Sequence, residues 1–474
     1  MIISSKKMTN ASEQLLLKER ERFIALHPTS QNLAKQAAKH FLYGVPMHWM
    51  NDWGTPTPLF VESAAGAHFT CADGIDYTDF CLGDTGAMFG HSPRGVAKAI
   101  ANQAQIGFTA MLPSTLAPNV GSALSDFFGL DYWQLATTAT DANRFVLRWA
   151  RAVTNRKKVL VFDGCYHGTV DDAMVDMALV DDAMIDMALR EDSMLDSING
   201  KNINRQSLLG QVQDLTLYSQ AVPFNDLAAV ERALKTNHFA ALLTEPALTN
   251  CGMVLPQDGF VQGLRALCTK YGTLLILDET HTISTAHGGW AKAHNITPDF
   301  LVIGKPIAGG LPAAAYGFSA EMSKKMKAAK DNAPPGHSGI GTTLSGNMMT
   351  LAAIYATLTE TATAAAYNHM LALARLLEQQ LIEAISAHQL PWNISRMGAR
   401  LELQFCKNPP INAKQARAAQ NNIIESAIHL FLLNRGVLLT PFHNMMLVCP
   451  ATTEADVSKL VQTFKACLQA LTSA

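Results

Sequence analysis

No apolar run in the 474-residue sequence approaches the ~18–20 residues of a membrane-spanning helix. The opening MIISSKKMTNASEQ has no signal-peptide core. The expectation is a cytoplasmic protein without membrane attachment. A surplus of one charge sign is also missing: 37 basic and 39 acidic residues leave a net charge of -2. That balance argues against nucleic acid or an anionic membrane as the main partner. Charged residues make up only 16% and hydrophobic residues 48%, which excludes wholesale disorder and allows a large core. Eight cysteines (Cys71, Cys81, Cys165, Cys251, Cys268, Cys406, Cys449 and Cys467) include no CxxC pair and no zinc spacing. They read as free thiols in a reducing compartment, and no metal is expected.

The chain organises into stretches of different character. Residues 1–30 hold a helical pattern, ASEQLLLKERERFIAL at 11–26, read as exposed and amphipathic with Asn10 or Ser12 as cap. Residues 31–80 begin as Trp-, Pro- and Met-rich irregular chain and end in hairpin strands over 59–80, with Ala72-Asp73-Gly74 as the turn. From 81 to 345 short apolar strands alternate with helical patterns. Strands are expected at 157–163, 239–244, 273–278 and 300–304, and their continuous apolar runs suit a parallel sheet buried on both faces. Helices are expected at about 140–154, 224–236, 257–271, 346–360 and 365–388. This alternation implies an α/β domain. Residues 346–474 become helical, with strand-like pieces at 400–406 and 445–449 and a closing helix at 453–472, as in a smaller α+β domain.

One segment stands apart. Residues 170–179 (VDDAMVDMAL), 180–189 (VDDAMIDMAL) and 190–199 (REDSMLDSIN) form a decapeptide repeat whose third copy is degraded. Val170, Ala173, Met177, Val180, Met184 and Met187 follow a spacing of three to four that fits one helix face. The repeat holds nine acidic residues and one basic one, so the other 444 residues carry 36 basic and 30 acidic. The overall balance therefore divides into a mildly basic body and an acidic insertion. Three repeats rarely make an independent fold, so a local duplication that lengthened a surface loop is favoured over a Met-rich contact surface or an acidic cation site.

Four strand ends carry polar residues of complementary kinds, and in open α/β sheets ligands bind at the carboxyl ends of strands. Lys305 follows FLVIG and precedes PIAGG. It is either a surface lysine or an amine placed to form a Schiff base. Asp278 ends LLILD, where an unpaired buried carboxylate would be costly. It suits a pyridinium nitrogen or a plain helix cap. Thr138, Ala139 and Thr140 open a helical run whose free N–H groups could cradle a phosphate, although the same residues read as a capping box. Tyr166 and His167, before Gly168, end the strand KKVLVFD, where an aromatic can stack on a planar ring. Glu245 and Asn250 are aimed at the same edge.

In this order the residues resemble the class III aminotransferases, pyridoxal 5'-phosphate enzymes of fold type I. The nearest likeness is to the glutamate-1-semialdehyde aminomutase branch and its β-amino-acid aminotransferase relatives. The motifs are GDTGAMFGH (83–91), TTATDAN (137–143), DGCYHG (163–168), TEPALTNCG (244–252), LLILDET (274–280), IGKPIAGGLPAAAYG (303–317) and GTTLSGN (341–347). The resemblance implies a large domain around a mostly parallel sheet and a smaller domain built from both chain ends. It implies that Lys305 holds the cofactor as a Schiff base and moves the substrate proton, that Asp278 partners the pyridine nitrogen and that Tyr166 stacks on the ring. It implies that Ala139 and Thr140 bind the phosphate, that Glu245 and Asn250 lie near the ring hydroxyl, and that Thr343 reaches the phosphate of the neighbouring subunit in a homodimer.

The departures bear on substrate. The family's Ser-Gly-Thr-Glu-Ala turn is Thr-Ala-Thr-Asp-Ala here, so Ala139 loses the freedom of glycine at positive φ. Thr280 stands where valine usually packs on the ring. Where relatives bind a substrate carboxylate by arginine, this chain has His48 and Trp49 in VPMHWMNDW (45–53) and Phe442 in TPFHNM (440–445). An aromatic ring does not replace a bidentate guanidinium. The expected pocket is therefore aromatic, with Trp49, Trp53, Met88, Tyr166 and Phe442 as candidates and Arg400 as a substitute anchor. The reading is an aminotransferase acting on a hydrophobic or aromatic ketone or aldehyde. An intramolecular aminomutase is the alternative, and a catalytically silent family member is the second.

Overall fold

The structure, a computed structural model, describes residues 5–178 and 201–473. The chain divides into two compact units: one of residues 1–101, 359–409 and 419–474, the other of residues 102–358 and 410–418.

The second unit is built on a seven-stranded sheet. Its strands are β4 (Tyr132–Ala136), β5 (Lys158–Phe162), β8 (Ser219–Val222), β9 (Phe239–Thr244), β10 (Leu274–Asp278), β11 (Phe300–Ile303) and β12 (Ala314–Phe318), ordered β4-β12-β11-β10-β9-β5-β8. All pairings among β8, β5, β9, β10 and β11 are parallel, and β12 alone runs against its neighbours. Every residue of β9, β10, β11 and β12 is buried, which is why these strands read as continuous apolar runs rather than alternating ones. The parallel strands bring Phe162, Thr244, Asp278 and Ile303 to one edge of the sheet.

The first unit has two small sheets. One joins β1 (Val61–Ala65), β2 (His68–Cys71), β3 (Asp76–Asp79) and β15 (Val437–Leu438); the other joins β13 (Asn393–Met397), β14 (Arg400–Gln404) and β16 (Met445–Leu447). Phe23, Phe69, Cys71, Tyr77, Leu430 and Leu433 form a buried cluster. His27 ties this core together, with one ring nitrogen 2.8 Å from the Phe23 carbonyl and the other 2.7 Å from the Tyr77 hydroxyl.

Three expectations change. The first helix spans Ser5–Leu26, so neither Asn10 nor Ser12 caps it. Ser12 is instead buried and donates to the Met8 carbonyl at 2.9 Å. Nor is that helix simply exposed: Phe23 is fully buried and Glu19 pairs with Arg435 at 2.9 Å. Residues 28–37 form a helix, although its part from residue 31 on was expected to be irregular; it opens on Pro28, where a missing N–H costs nothing.

The first copy of the repeat is not helical. Asp171–Ala173 is a single tight turn, and β6 (Val175–Met177) pairs antiparallel with β7 (Asn202–Asn204). Val170, Ala173 and Val175 are buried, Asp172 pairs with Arg151 at 2.6 Å, and both carboxylate oxygens of Asp176 accept from Arg205 at 3.0 Å. These partners hold the segment extended, against the helical spacing of its apolar residues. The expectation for the second and third copies falls on residues 180–199, outside the described residues.

Candidate active site

β10 delivers Asp278 to the sheet edge with only 3% of its surface exposed. Four donors converge on it. The Asn143 amide donates at 2.9 Å and the His167 Nδ1 lies 3.0 Å away, both on one oxygen. The Thr280 hydroxyl donates at 2.7 Å and its backbone N–H at 3.1 Å, both on the other. Burial alone would raise this carboxyl, but the His167 bond and charge outweigh it and hold Asp278 down to about 2. Burial likewise lowers His167, and its bond to Asp278 overrides that and lifts it to about 10. The pair is a buried imidazolium–carboxylate. The hydroxyl that distinguishes Thr280 from valine is spent on fixing Asp278.

The helix Ala139–Thr154 starts beside this pair. The Thr138 side chain caps it, accepting from the Asp141 N–H at 3.1 Å. Ala139 is the first helical residue and is not among the positive-φ residues, so the loss of glycine there costs no backbone freedom. Glycine is needed at two neighbouring positions instead. A Cβ on Gly168 would stand 2.1 Å from the Thr140 hydroxyl oxygen, and one on Gly304 would stand 2.6 Å from the Ala139 Cβ. The Thr140 hydroxyl also accepts the Thr169 N–H at 3.2 Å. The result is a tight cradle at a helix N-terminus.

At the end of β9, Glu245 is 2% exposed and accepts from both the hydroxyl and the N–H of Thr249, while the Asn250 amide donates to the Thr249 hydroxyl at 3.2 Å. Burial pushes Glu245 up to about 7, with His167 and Thr249 acting against it. Lys305 follows β11 by two residues and has φ +44, a left-handed backbone that a non-glycine residue adopts at a cost of about 1–3 kcal/mol and that clusters at functional sites. Its Nζ lies 3.0 Å from Nε2 of His281. Tyr166, after β5, is 38% exposed. Thr343 lies in an exposed turn next to Thr342, whose hydroxyl meets that of Ser345 at 2.9 Å.

Every candidate cofactor residue thus belongs to the second unit. Apart from Tyr166, the candidate pocket residues belong to the first. There, Trp49 and Phe442 are half-exposed, His48 is exposed, and Trp53 meets Phe442 edge-on with centroids 6.5 Å apart. Met88 is fully buried, so it packs the unit's interior and offers no open surface. Arg400 is buried too, its guanidinium donating to the Thr85 hydroxyl at 3.0 Å and to Asp84 at 3.3 Å. Those bonds give it an internal structural task.

Three contributors escaped the sequence reading. Asn143 looks like an ordinary helix residue, and Thr249 like a loop threonine. His281 stands three residues after Asp278, one beyond the last residue of the LLILDET motif, and its position in DETH was the available signal.

These residues fit pyridoxal phosphate. The helix N-terminus with its glycine-walled cradle suits a phosphate, the ionised Asp278 suits a protonated ring nitrogen, and the Lys305 amine is a Schiff-base former at the same edge. Among the described residues no group of His, Cys, Asp and Glu could hold a metal ion.

Residues 49–468 match the family described as aminotransferase class-III. The chain is 44% identical to a glutamate-1-semialdehyde-aminomutase from Pseudomonas aeruginosa PAO1 of known structure, with a TM-score of 0.91, covering 98% of this chain and 99% of that one. A lysine-to-alanine variant of that protein has been solved in complex with PMP. The chain is also 31% identical over 421 residues to the glutamate-1-semialdehyde 2,1-aminomutase of Anaeromyxobacter sp. (strain Fw109-5), covering 86% of the chain and 90% of the relative. A β-phenylalanine aminotransferase from Variovorax paradoxus, 23% identical with a TM-score of 0.82, shares the fold.

Proposed function

The chain belongs to the class III aminotransferases, and from that premise we propose that it moves an amino group between neighbouring carbons of one small amino-carbonyl compound, as glutamate-1-semialdehyde 2,1-aminomutases do. The observation that carries this reading is the 44% identity to an aminomutase across nearly the whole of both chains. It favours the aminomutase alternative over the hydrophobic or aromatic substrate expected from the missing arginines. A specific feature still supports intermolecular transfer to an apolar carbonyl compound as a second reading. The 45–53 and 440–445 segments hold no arginine, and they present Trp49 and Phe442 at their surface.

Pyridoxal 5'-phosphate, when bound, supplies a reactive carbonyl and a ring that accepts the electron pair left when a substrate proton departs. The protein's own groups do the rest. Thr138, Ala139 and Thr140 hold the phosphate at the helix N-terminus. Asp278 keeps a proton on the ring nitrogen, and its four donors ensure that the carboxylate stays charged at neutral pH. Tyr166 would stack on the ring, and Glu245 with Asn250 would meet the ring hydroxyl. The Lys305 amine removes the proton from one substrate carbon and returns it at the next. A charged, fully bonded Asp278 and a strained Lys305 oppose the reading of a silent family member.

The unit that holds these residues also exposes Ile106, Phe108, Met111, Leu112 and Leu344, all more than half exposed. Leu344 adjoins Thr343. This apolar strip supports a homodimer in which Thr343 reaches the phosphate bound by the second copy. All eight cysteines are free thiols, which suits a cytoplasmic location. No helix among the described residues is long and apolar enough to cross a membrane.

The test supplies the purified, cofactor-loaded protein with glutamate-1-semialdehyde and nothing else. Formation of 5-aminolevulinate without any second substrate is the expected result. No product there, with turnover of aromatic amines against pyruvate or 2-oxoglutarate, would replace the aminomutase reading by the second one.

A further inference from the structure

We propose that His281 is a positioning residue for Lys305 that holds the proton the lysine amine must shed before it bonds to a carbonyl carbon. This rests on the reading of Lys305 as the cofactor-binding amine. The first ground is contact: Nε2 of His281 lies 3.0 Å from the Lys305 Nζ, within range for a proton to pass directly. The second is rigidity. His281 is 4% exposed, and its backbone is pinned, because its carbonyl accepts from both the hydroxyl and the N–H of Ser284 at 2.8 and 3.2 Å. The residues before it are pinned as well. Thr280 is bonded to Asp278, and Glu279 accepts the N–H groups of Trp290 and Ala291. The pinned backbone and the burial of the side chain fix the point from which the imidazole reaches the amine.

The third ground is that the other titratable groups around this point are committed elsewhere. Asp278 and His167 are paired with each other, Glu245 is bonded to Thr249, and Glu279 is spent on the two backbone amides. His281 faces the amine with a ring nitrogen at bonding distance.

The step balances. A lysine ammonium that bonds to an aldehyde carbon gives up three hydrogens. Two leave with the aldehyde oxygen as water, and the third passes as a proton to Nε2 of His281. The Nζ–H bond breaks, an Nε2–H bond forms, and the positive charge moves to the ring. Nothing is oxidised or reduced. Release of the amine runs the transfer backwards.

The experiment follows capture of pyridoxal phosphate by the cofactor-free protein, read as growth of the Schiff-base absorbance after rapid mixing at pH 5.5 to 9. Wild type is compared with His281→Gln, which keeps a hydrogen-bonding group but takes no proton, and with His281→Met, which keeps only bulk. Borohydride reduction and peptide mass spectrometry locate the captured lysine. Both variants should capture at least tenfold more slowly at pH 7, at the low end of the ~10²–10⁴-fold worth of a positioned acid–base group. Both should also lose the wild-type inflection in the imidazole range. Full rescue by His281→Gln, or profiles identical to wild type in both variants, would overturn the proposal while leaving Lys305 in its role. Reduction that labels another lysine would overturn the reading of Lys305 as well. Each variant's far-ultraviolet circular dichroism checks that it folds, and the glutamine form alone suffices if the methionine form does not.

Discussion

His167 at the end of β5 and His429 in the helix Asn422–Leu433 are each only 1% exposed, yet burial has opposite outcomes for them. His167 lies against the Asp278 carboxylate and is lifted to about 10. His429, in the interior of the other unit, is pushed down to about 4 by burial, with only a lesser pull from the Leu439 backbone. One imidazole is a cation at neutral pH and the other is not. Burial sets the cost of a charge, and a facing partner decides whether the charge survives. The site unit has that partner because parallel strands gather polar residues at one edge. The helix that carries His429 in the other unit is apolar and buried on either side of it, at Ile428, Leu430 and Leu432.

The pH dependence of stability follows with opposite signs. Asp278 is held below its ordinary value, so its contribution is complete above pH ~4 and fades as the pH falls through about 2. His167 is held above its ordinary value, so its contribution is complete below pH ~6.5 and fades as the pH rises through about 10. His429 is held below its ordinary value. Its unfolded form takes up a proton below pH ~6.5 while the folded form does not, so it withdraws stability as the pH falls toward 4.

The largest effect is expected where the site side of this comparison is broken outright. Lys305→Ala should lower turnover by on the order of 10⁴-fold or more, since the amine is both base and attachment point. The visible Schiff-base band should vanish while the cofactor remains bound without a covalent link. Retained turnover would remove Lys305 from the mechanism. Asp278→Asn comes next, because it turns His167 into a second His429. Removing the carboxylate of a buried pair costs up to about 3–5 kcal/mol, part of which the imidazole recovers by giving up its proton, and the cofactor's ring nitrogen would lose the charge that keeps it protonated. Turnover should drop by roughly 10²–10³-fold. In a nuclear magnetic resonance titration His167 should become neutral at pH 7. A His167 that stays protonated in this variant would show that Asp278 is not what holds its charge.

The sequence made parts of this legible and left others hidden, for reasons that differ by element. β9 and β10 were plain because a strand buried on both faces must be apolar throughout. β4 was missed because its residues alternate between exposed and half-buried, with Gln134 at its centre. β12, AAYGF, was missed because alanine and glycine carry little strand preference, and only its place between β4 and β11 makes it extended. Lys305, Asp278 and Tyr166 stand out in the sequence because each ends or closely follows an apolar run, and the roles proposed for them come from the family resemblance. Asn143 does not stand out, since its role depends on a contact with Asp278, 135 residues away in sequence. The helical spacing in the first repeat copy misled, because pairing with Asn202–Asn204 and the grip of Arg205 on Asp176 outweigh local periodicity.

The core side of the comparison predicts a smaller effect of opposite kind. His429→Leu should remove the acid penalty. Its advantage over wild type in denaturant unfolding should widen as the pH falls from 7 toward 4.5. The ceiling is about 3 kcal/mol, from the gap between the ordinary value near 6.5 and the buried value of about 4. Two stability curves that stay parallel over that range would mean that His429 reaches solvent or finds a partner before the protein unfolds.

The finest test weakens the partnership at Asp278 without abolishing it. Thr280→Val removes a single donor, the hydroxyl bond of 2.7 Å, and leaves the Asn143, His167 and backbone donors in place. A net contribution near ~1 kcal/mol for one such bond translates to a few-fold loss in turnover, with a small upward move of the Asp278 carboxyl. His167 should stay protonated at pH 7, unlike in Asp278→Asn. If Thr280→Val instead matches Asp278→Asn in its effect, the charge at this edge depends on the hydroxyl rather than on the histidine, and the contrast with His429 would need a different explanation from the presence of one facing ion.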